Sequence, residues 1–293
     1  MKLLSGKEVS QHVYNLLTDR IETLKKKNII PGLAVVLVGE DPASKVYVRS
    51  KAKRFASLNL FSETLVLPET TSEGELLDLI KRLNKDSKYH GILVQLPLPS
   101  HINTDHILDE ILPEKDVDGF HPVNLGKLAQ GRPQFVACTP KGIMRILDYY
   151  DIDLSGKSVV IIGRSNIVGR PMSLLTSLKT QGANATTTIC HSGTKNIPEI
   201  TKMADVIIAA IGVPELIDES YIKEGAIVID VGMNRVDSPE RERGYKLVGD
   251  VNQKSIENKV AAITPVPGGV GPMTIAMLVE NTVEAAERLS KII

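Results

Sequence analysis

The sequence contains little cysteine, no tryptophan and no excess of charge of either sign. Of its 293 residues, two are cysteines and 4% are aromatic, and 35 lysines and arginines balance 35 aspartates and glutamates. Cys138 and Cys190 have neither CxxC nor metal-ligand spacing, so we expect two buried thiols rather than a disulfide or a zinc site. Because the chain also lacks a basic block or an aromatic-rich basic stripe, nothing favours binding to nucleic acid or a membrane. We predict a small-molecule ligand and no metal.

Long apolar runs are absent too. No run approaches the roughly 20 residues of a membrane-spanning helix. The first residues, MKLLSGKEVSQHVYNLL, become polar after four positions and then follow a helical period, which is unlike a signal peptide. We therefore expect a cytoplasmic globular protein, long enough for two domains and with 42% hydrophobic residues to fill their cores.

Short apolar runs alternate with amphipathic segments along the chain. This alternation predicts strands at residues 33–38, 64–67, 91–96, 158–162, 186–190, 206–211, 226–231 and 261–263, with helices at about 42–58 and 73–84 among those between them. Such a pattern is typical of mainly parallel sheets covered on both faces by helices. The charged stretch at 237–245 is predicted to be a solvated excursion between strands. The fold class is α/β.

A glycine-containing turn follows the predicted strand at 158–162. It reads GRSNIVGRP from Gly163, with Arg164 and Ser165 next, and stands where dinucleotide-binding folds place a pyrophosphate. Since it is not GxGxxG, the pattern leaves an ordinary turn between strand and helix equally open. The end of the next strand carries Ser192 in place of the acid that binds the ribose 2′-hydroxyl of NAD. Arg164 and Ser192 can bind a 2′-phosphate there, which favours NADP.

Two polar side chains share one face of the helix predicted at 42–58. Asp41 and Pro42 are typical of its start. Tyr47 and Lys51 are four residues apart, with Ser44 one turn earlier on the same face. This arrangement fits a catalytic pair, but it also fits an exposed lysine lying over a tyrosine.

Two polar residues, Gln95 and Asp118, are candidates for ligand binding because of where they stand in the sequence. Gln95 lies at an apolar strand end, between Val94 and Leu96 in VQLPLP, where α/β sheets bind ligands. A buried glutamine needs partners, and a lysine amine from the neighbouring helix is a natural one. Asp118 precedes a glycine in EKDVDGF and either binds a ligand or caps a turn.

A stiff and bare loop precedes the closing amphipathic segment. In TPVPGGVGPMT the prolines fix φ and the glycines remove side chains, so the backbone can lie against a flat ligand or simply turn between strand and helix.

Taken together, six motifs resemble the bifunctional methylenetetrahydrofolate dehydrogenase/methenyltetrahydrofolate cyclohydrolase family. They are YVRSK at 47–51, VQLPLP at 94–99, EKDVDGFHPVN at 114–124, CTPKG at 138–142, GRSNIVGRP at 163–171 and TPVPGGVGPMT at 264–274, and they span essentially the whole chain. The resemblance implies a folate-binding domain of residues 1–138 completed by 272–293, and a Rossmann-like NADP-binding domain of residues 139–271. It also implies a cleft between the domains, and a homodimer.

The resemblance also implies a role for each site residue. Lys51 is the catalytic lysine, Gln95 its hydrogen-bond partner, Tyr47 a residue that stacks near the aminobenzoyl ring, and Asp118 the acid that holds the pterin. The implied folate-binding residues are Tyr47, Lys51, Val94, Gln95, Leu96, Asp118, Pro267, Gly268, Gly269, Val270 and Gly271. The implied NADP-binding residues are Gly163, Arg164, Ser165, Ser192 and Met233, the last standing where many members have isoleucine, a change that conserves volume.

The activity implied is oxidation of 5,10-methylenetetrahydrofolate by NADP, followed by hydrolysis to 10-formyltetrahydrofolate in one-carbon metabolism. A lysine beside a cation and apolar walls is expected to have a lowered pKa, which suits the proton transfers of hydrolysis. Three alternatives remain open: a member with dehydrogenase activity only, another NADP-dependent dehydrogenase, and a nucleotide-sensing module without turnover.

Overall fold

Strands and helices alternate along most of the chain in the computed structural model, which describes residues 1–240 and 244–291. The strands are β1 (Lys2–Leu3), β2 (Gly32–Val38), β3 (Phe61–Leu67), β4 (Gly91–Val94), β5 (Ser158–Ile162), β6 (Thr186–Cys190), β7 (Val206–Ala209), β8 (Ile227–Asp230), β9 (Asn234–Asp237), β10 (Tyr245–Val248) and β11 (Ala262–Ile263). The α-helices are α1 (Gly6–Lys26), α2 (Pro42–Ser57), α3 (Glu73–Lys85), α4 (Thr104–Glu110), α5 (Pro122–Ala129), α6 (Cys138–Tyr149), α7 (Gly169–Ser177), α8 (Ile197–Thr201), α9 (Gln253–Ile256) and α10 (Val270–Leu289). The predicted α/β class is confirmed.

The chain divides into two compact units. The three-stranded unit comprises Val13–Cys138 and the chain from Ile275 onward, and the six-stranded unit comprises Met1–His12 and Thr139–Thr274. The predicted boundaries, by contrast, placed the first twelve residues with the three-stranded unit. They group with the other unit because β1 pairs in parallel with β11. The assignment of folate to one unit and NADP to the other stays a prediction.

In the three-stranded unit, β2 lies between β3 and β4 and all pairings are parallel. Every residue of β2 is buried, as expected for a strand covered on both faces. The Asp41 carboxylate accepts a hydrogen bond of 2.7 Å from the Ser44 N–H, which confirms the predicted start of α2. From α10, the Glu287 carboxylate accepts two hydrogen bonds from the Arg20 guanidinium of α1, at 2.9 and 2.5 Å. The closing helix is therefore tied to this unit by a bidentate ion pair.

The six-stranded sheet has the order β1-β11-β8-β7-β5-β6, with all pairings parallel. The chain moves from β5 to β6 on one side and then returns to β7 on the other side. This reversal makes the carboxyl end of β5 a topological switch point, the place where open α/β sheets bind ligands. The turn at Gly163 begins there.

Two features differ from the sequence-based expectations, and a third was not addressed by them. Strand β1 was not predicted. The charged stretch at 237–245 was predicted as an excursion, but its ends belong to an antiparallel hairpin of β9 and β10, and its residues 241–243 lie outside the described part. The Leu96–Pro97 and Val266–Pro267 peptide bonds are cis.

Two further observations concern composition. Cys138 and Cys190 are buried free thiols, as predicted. Among the helices of residues 1–240 and 244–291, none is both long and apolar enough to cross a membrane.

Candidate active site

Helix α2 carries Lys51, a buried lysine. Only 8% of Lys51 is exposed, and Ser44, on the same helix face, is 4% exposed. Tyr47, one turn before Lys51, is 41% exposed, and burial of its hydroxyl raises the pKa of Tyr47. The alternative of a solvated lysine over a tyrosine is therefore wrong, because the lysine is the buried member of the pair.

Gln95 lies at the carboxyl end of β4 and accepts a hydrogen bond from the Lys51 amine. Its backbone N–H donates to the Val36 carbonyl of the central strand at 2.8 Å, which holds the residue at the sheet edge. Its side-chain Nε2 donates to the Leu96 carbonyl at 2.8 Å, which fixes the orientation of the amide and directs its oxygen away from that carbonyl. Lys51 Nζ donates to that oxygen, Gln95 Oε1, at 3.1 Å. The predicted contact between the lysine and the glutamine is confirmed.

Two acids flank Val117, and they lie in different surroundings. The Asp116 carboxylate accepts hydrogen bonds from the backbone N–H groups of Gly119, Phe120 and His121 at 3.1, 3.1 and 2.9 Å. Asp116 therefore caps the turn, which was one of the two roles left open for Asp118. A parallel bridge pairs Asp116 with Ile92 of β4. This pairing sets Asp118, two residues further on, near the end of β4, where Gln95 also lies.

Asn281 of α10, which was not among the predicted site residues, donates hydrogen bonds to this segment. The residue is fully buried, and its Nδ2 donates to the Val117 carbonyl at 2.8 Å and to the Val136 carbonyl at 3.3 Å. The Cys138 thiol also donates to the Val117 carbonyl, at 3.3 Å. The available signal was a polar amide within the apolar run MLVENTV.

Burial shifts the proton affinities of Lys51 and Asp118 in opposite directions. Loss of water lowers the pKa of Lys51, and the electrostatic effects of Asp118 and then Cys138 only partly counter this. Burial of its carboxyl group raises the pKa of Asp118, the Lys51 charge opposes the rise, and Asp116 adds to it. Each group thus depends on the other to stay charged, and Lys51 can give up its proton more easily than an exposed lysine.

The turn after β5 requires glycine at both of its ends. A Cβ on Gly163, whose φ is +130°, would lie 2.2 Å from the Ala210 carbonyl oxygen. A Cβ on Gly169 would lie 2.1 Å from the Gly163 carbonyl oxygen. The first helical turn of α7 therefore packs directly on the strand end, as in dinucleotide-binding turns, although the spacing is not GxGxxG.

Arg164 and Ser192 occupy equivalent places on neighbouring strands. Ile162 of β5 pairs with Cys190 of β6, and each of the two polar residues follows its strand by two positions. Both are exposed, so an arginine and a hydroxyl are available at one sheet edge for an anion. Ser165, also exposed, accepts a hydrogen bond of 3.2 Å from the Val168 N–H through its hydroxyl and so shapes the turn.

The loop from Pro267 to Gly271 has close neighbours within the six-stranded unit. Gly268 has a φ of +106°, and a Cβ on Gly269 would lie 2.5 Å from the Pro265 carbonyl oxygen. A Cβ on Gly271 would lie 2.8 Å from Cε of Met233, which is 36% exposed. Helix α10 already begins at Val270, so the last part of the motif is helical.

Two family models match the chain in succession. The catalytic domain of tetrahydrofolate dehydrogenase/cyclohydrolase matches residues 4–118, and the NAD(P)-binding domain of the same family matches residues 137–290. The chain belongs to the tetrahydrofolate dehydrogenase/cyclohydrolase family. The resemblance inferred from the six motifs is confirmed.

Individual relatives agree with this assignment. The chain is 51% identical over 295 residues to the bifunctional protein FolD of Chlorobium phaeobacteroides (strain BS1), covering 100% of this chain and 99% of that one. The crystal structure of the bifunctional enzyme FolD from Campylobacter jejuni is similar with a TM-score of 0.93 and 50% identity, covering 99% of both chains. The methylenetetrahydrofolate dehydrogenase-cyclohydrolase of Trypanosoma brucei, solved with NADP cofactor and an inhibitor, has a TM-score of 0.93 and 37% identity, covering 99% of this chain and 98% of that one.

Proposed function

We propose that Lys51, Gln95 and Asp118 carry out the folate chemistry of this family member. The enzyme is bifunctional: it oxidises 5,10-methylenetetrahydrofolate in an NADP-dependent step and hydrolyses the methenyl product to 10-formyltetrahydrofolate. One observation carries the assignment of residues. Lys51 is a buried amine with a lowered pKa, held 3.1 Å from Gln95 Oε1.

The chain's own residues bind and orient the folate. The amino-pyrimidinone edge of a pterin offers adjacent N–H donors, and the Asp118 carboxylate accepts both, which gives orientation as well as affinity. These donors also favour the ionised form of Asp118, against the effect of its burial. Tyr47 presents an exposed ring on the face that carries Lys51, in a position to stack on the aminobenzoyl ring. Val94 and Leu96 flank Gln95 and line the same strand end.

Hydrolysis needs a group that removes a proton from water and returns one as the ring opens. The neutral Lys51 amine fits this task because burial disfavours its charged form, and the methenyl cation disfavours that form further. Gln95 Oε1 accepts a hydrogen bond from the amine and so aims it. General acid–base assistance of this kind is worth about 10²- to 10⁴-fold in rate.

The six-stranded unit fits NADP. Gly163 and Gly169 let the first turn of α7 pack directly on the strand end, so that its N–H groups can bind a pyrophosphate there. Arg164 and Ser192 would hold the 2′-phosphate, and Ser165, Met233 and the Pro267–Gly271 loop would border the rest of the ligands. NADP, when bound, supplies the acceptor for the hydride that leaves the bridging carbon of the folate.

Absorbance separates the two activities. Protein mixed with methylenetetrahydrofolate and NADP should first raise and then lower the methenyl absorbance. Lys51→Met should remove the decay while folate and NADP still bind, as measured by titration calorimetry. Lys53→Met, on the same helix, is the matched control and should behave as wild type. Full hydrolysis by Lys51→Met would remove this lysine from the mechanism.

Assembly and location remain predictions. We propose a homodimer, supported by the family resemblance and by the position of β3 at the edge of its sheet. Light scattering after size-exclusion chromatography tests it, and a mass of one chain at micromolar concentration would contradict it. The expected location is the cytoplasm.

A further inference from the structure

The first residues of the chain run beside the strand that leads into the glycine loop. Strand β1 pairs in parallel with β11, and the Lys2 N–H donates to the Ala261 carbonyl at 2.7 Å. The Leu4 N–H donates to the Ile263 carbonyl at 2.8 Å. The N-terminal segment thus follows β11 up to the point where Thr264 and Pro265 begin the loop.

Beyond β1 the same segment touches the loop itself. The backbone N–H of Lys7, in the first turn of α1, donates to the Gly268 carbonyl at 3.0 Å. A Cβ on Gly6 would lie 1.8 Å from the Gly269 carbonyl oxygen and 2.6 Å from its carbon, so only glycine permits this approach. On its other side, Gly269 faces Thr264, whose Cβ would be 2.8 Å from a Cβ at position 269. Gly268 and Gly269 therefore lie between the start of α1 on one side and Thr264 and Pro265 on the other.

We propose that Gly6 and the backbone N–H of Lys7 are positioning residues for the substrate-binding loop Pro267–Gly271. This inference rests on the proposed role of that loop. Gly268 and Gly269 have no side chains to hold them, so the position of this part of the loop depends on backbone contacts from neighbouring segments. The first turn of a helix has N–H groups without partners inside the helix, and Lys7 uses one of them to hold the loop. The N-terminus, distant in sequence from every other site residue, thereby acts on the reaction through Gly268 and Gly269.

Two substitutions of Lys7 separate the effect of its backbone contact with Gly268 from the effect of its side chain. Lys7→Pro removes the N–H and brings the ring toward the Gly268 carbonyl, while proline is tolerated in the first turn of a helix. The residue before it is Gly6, which has no Cβ to clash with the proline ring. Lys7→Ala removes the same exposed side chain and keeps the N–H, so it is the matched control. Gly6→Ala serves as a second, independent variant that displaces Gly269 directly.

Hydride transfer is sensitive to small displacements, since a misplacement of about 1 Å can lower a rate about 100-fold. We expect Lys7→Pro to lower the dehydrogenase kcat about 10- to 100-fold, with the Kd of NADP within about twofold of wild type. At saturating methenyltetrahydrofolate, cyclohydrolase activity should fall less than about threefold, because its proton transfers depend on Lys51 and need no alignment of the folate with the nicotinamide. Lys7→Ala should match wild type, and Gly6→Ala should follow Lys7→Pro.

Hydrogen–deuterium exchange of the unliganded protein gives a readout that does not depend on activity. Peptides covering residues 264–271 should exchange faster in Lys7→Pro than in Lys7→Ala, with the rest of the six-stranded unit unchanged. Equal exchange and equal kcat in the two variants would overturn the inference. So would a parallel loss of both activities together with general unfolding, which indicates a structural role only. A wild-type protein without dehydrogenase activity would instead contradict the proposed function, while the exchange comparison would still decide the contact.

Discussion

Replacing Asn281 should weaken the three-stranded unit behind Asp118. The Asn281 amide is fully buried and donates to two backbone carbonyls, those of Val117 at 2.8 Å and Val136 at 3.3 Å. In Asn281→Ala these acceptors lose a donor in a place from which water is excluded. A buried acceptor left without its partner costs about 1–3 kcal/mol. The Val117 carbonyl keeps the weaker Cys138 thiol as a donor and the Val136 bond is the longer one, so each contributes toward the low end and we expect a loss of about 3 kcal/mol in all.

Calorimetry of the unliganded protein measures this loss. At about 3 °C per kcal/mol for a unit of this size, Asn281→Ala should melt about 9 °C below wild type. Asn281→Asp should melt lower still, because it sets a carboxylate against the carbonyl oxygens. Dehydrogenase activity should fall as well, since the Val117 carbonyl directly precedes Asp118.

The neighbouring residue supplies the control. Thr282 is also fully buried, but its hydroxyl donates to the Leu278 carbonyl of the same helix, at 2.7 Å. That carbonyl keeps its helical partner in Thr282→Val, so the loss should stay near 1 kcal/mol. If Asn281→Ala melted within about 2 °C of Thr282→Val, the reasoning about the two carbonyls would be refuted.

Three further predictions concern proton affinity, cofactor choice and backbone packing. Because burial lowers the pKa of Lys51 below 10.5, cyclohydrolase activity should rise with pH through that lowered pKa. The difference in unfolding free energy between wild type and Lys51→Met should also increase with pH, from the lowered pKa of folded Lys51 up to 10.5, because the unfolded state binds the proton more tightly in this range. A difference that does not change with pH in urea titrations would contradict this. Arg164→Ala should raise the Kd of NADP about 10- to 100-fold in calorimetry and leave NAD binding unchanged, whereas the exposed Arg170→Ala should change neither. Gly169→Ala should fail to fold or to bind NADP, because its Cβ would lie 2.1 Å from a carbonyl oxygen. Gly74→Ala is the control: no described atom lies within 4 Å of its Cβ, so its free energy of unfolding in urea should increase by about 0.5 kcal/mol.

Buried strands were the most predictable part of the fold. The apolar runs that form β2, β5 and β7 are covered on both faces, so the pattern marks them within a few residues. Strand β1 has only two residues and exists through its pairing with β11, so no local pattern identifies it. The β9–β10 hairpin is charged and partly exposed, which resembles a loop in sequence.

The site divides in a similar way. The four-residue spacing of Tyr47 and Lys51, and the polar Gln95 at an apolar strand end, were enough to predict the lysine–glutamine contact. The tasks of Asp116 and Asp118 could not be separated, because both acids flank one valine and only the folded turn selects which one caps it. Asn281 was missed because its contacts join segments more than a hundred residues apart, which periodicity does not report.

The interleaving of the two units has a consequence for the order of synthesis. The six-stranded unit needs β11, near residue 263, before β1 has a partner, and the three-stranded unit needs α10 from residue 275 onward. Neither unit can therefore be completed until its late segment has emerged from the ribosome. The first strand therefore stays without its neighbour until residues 262 and 263 have been made, and the core of the three-stranded unit waits longer still, for α10.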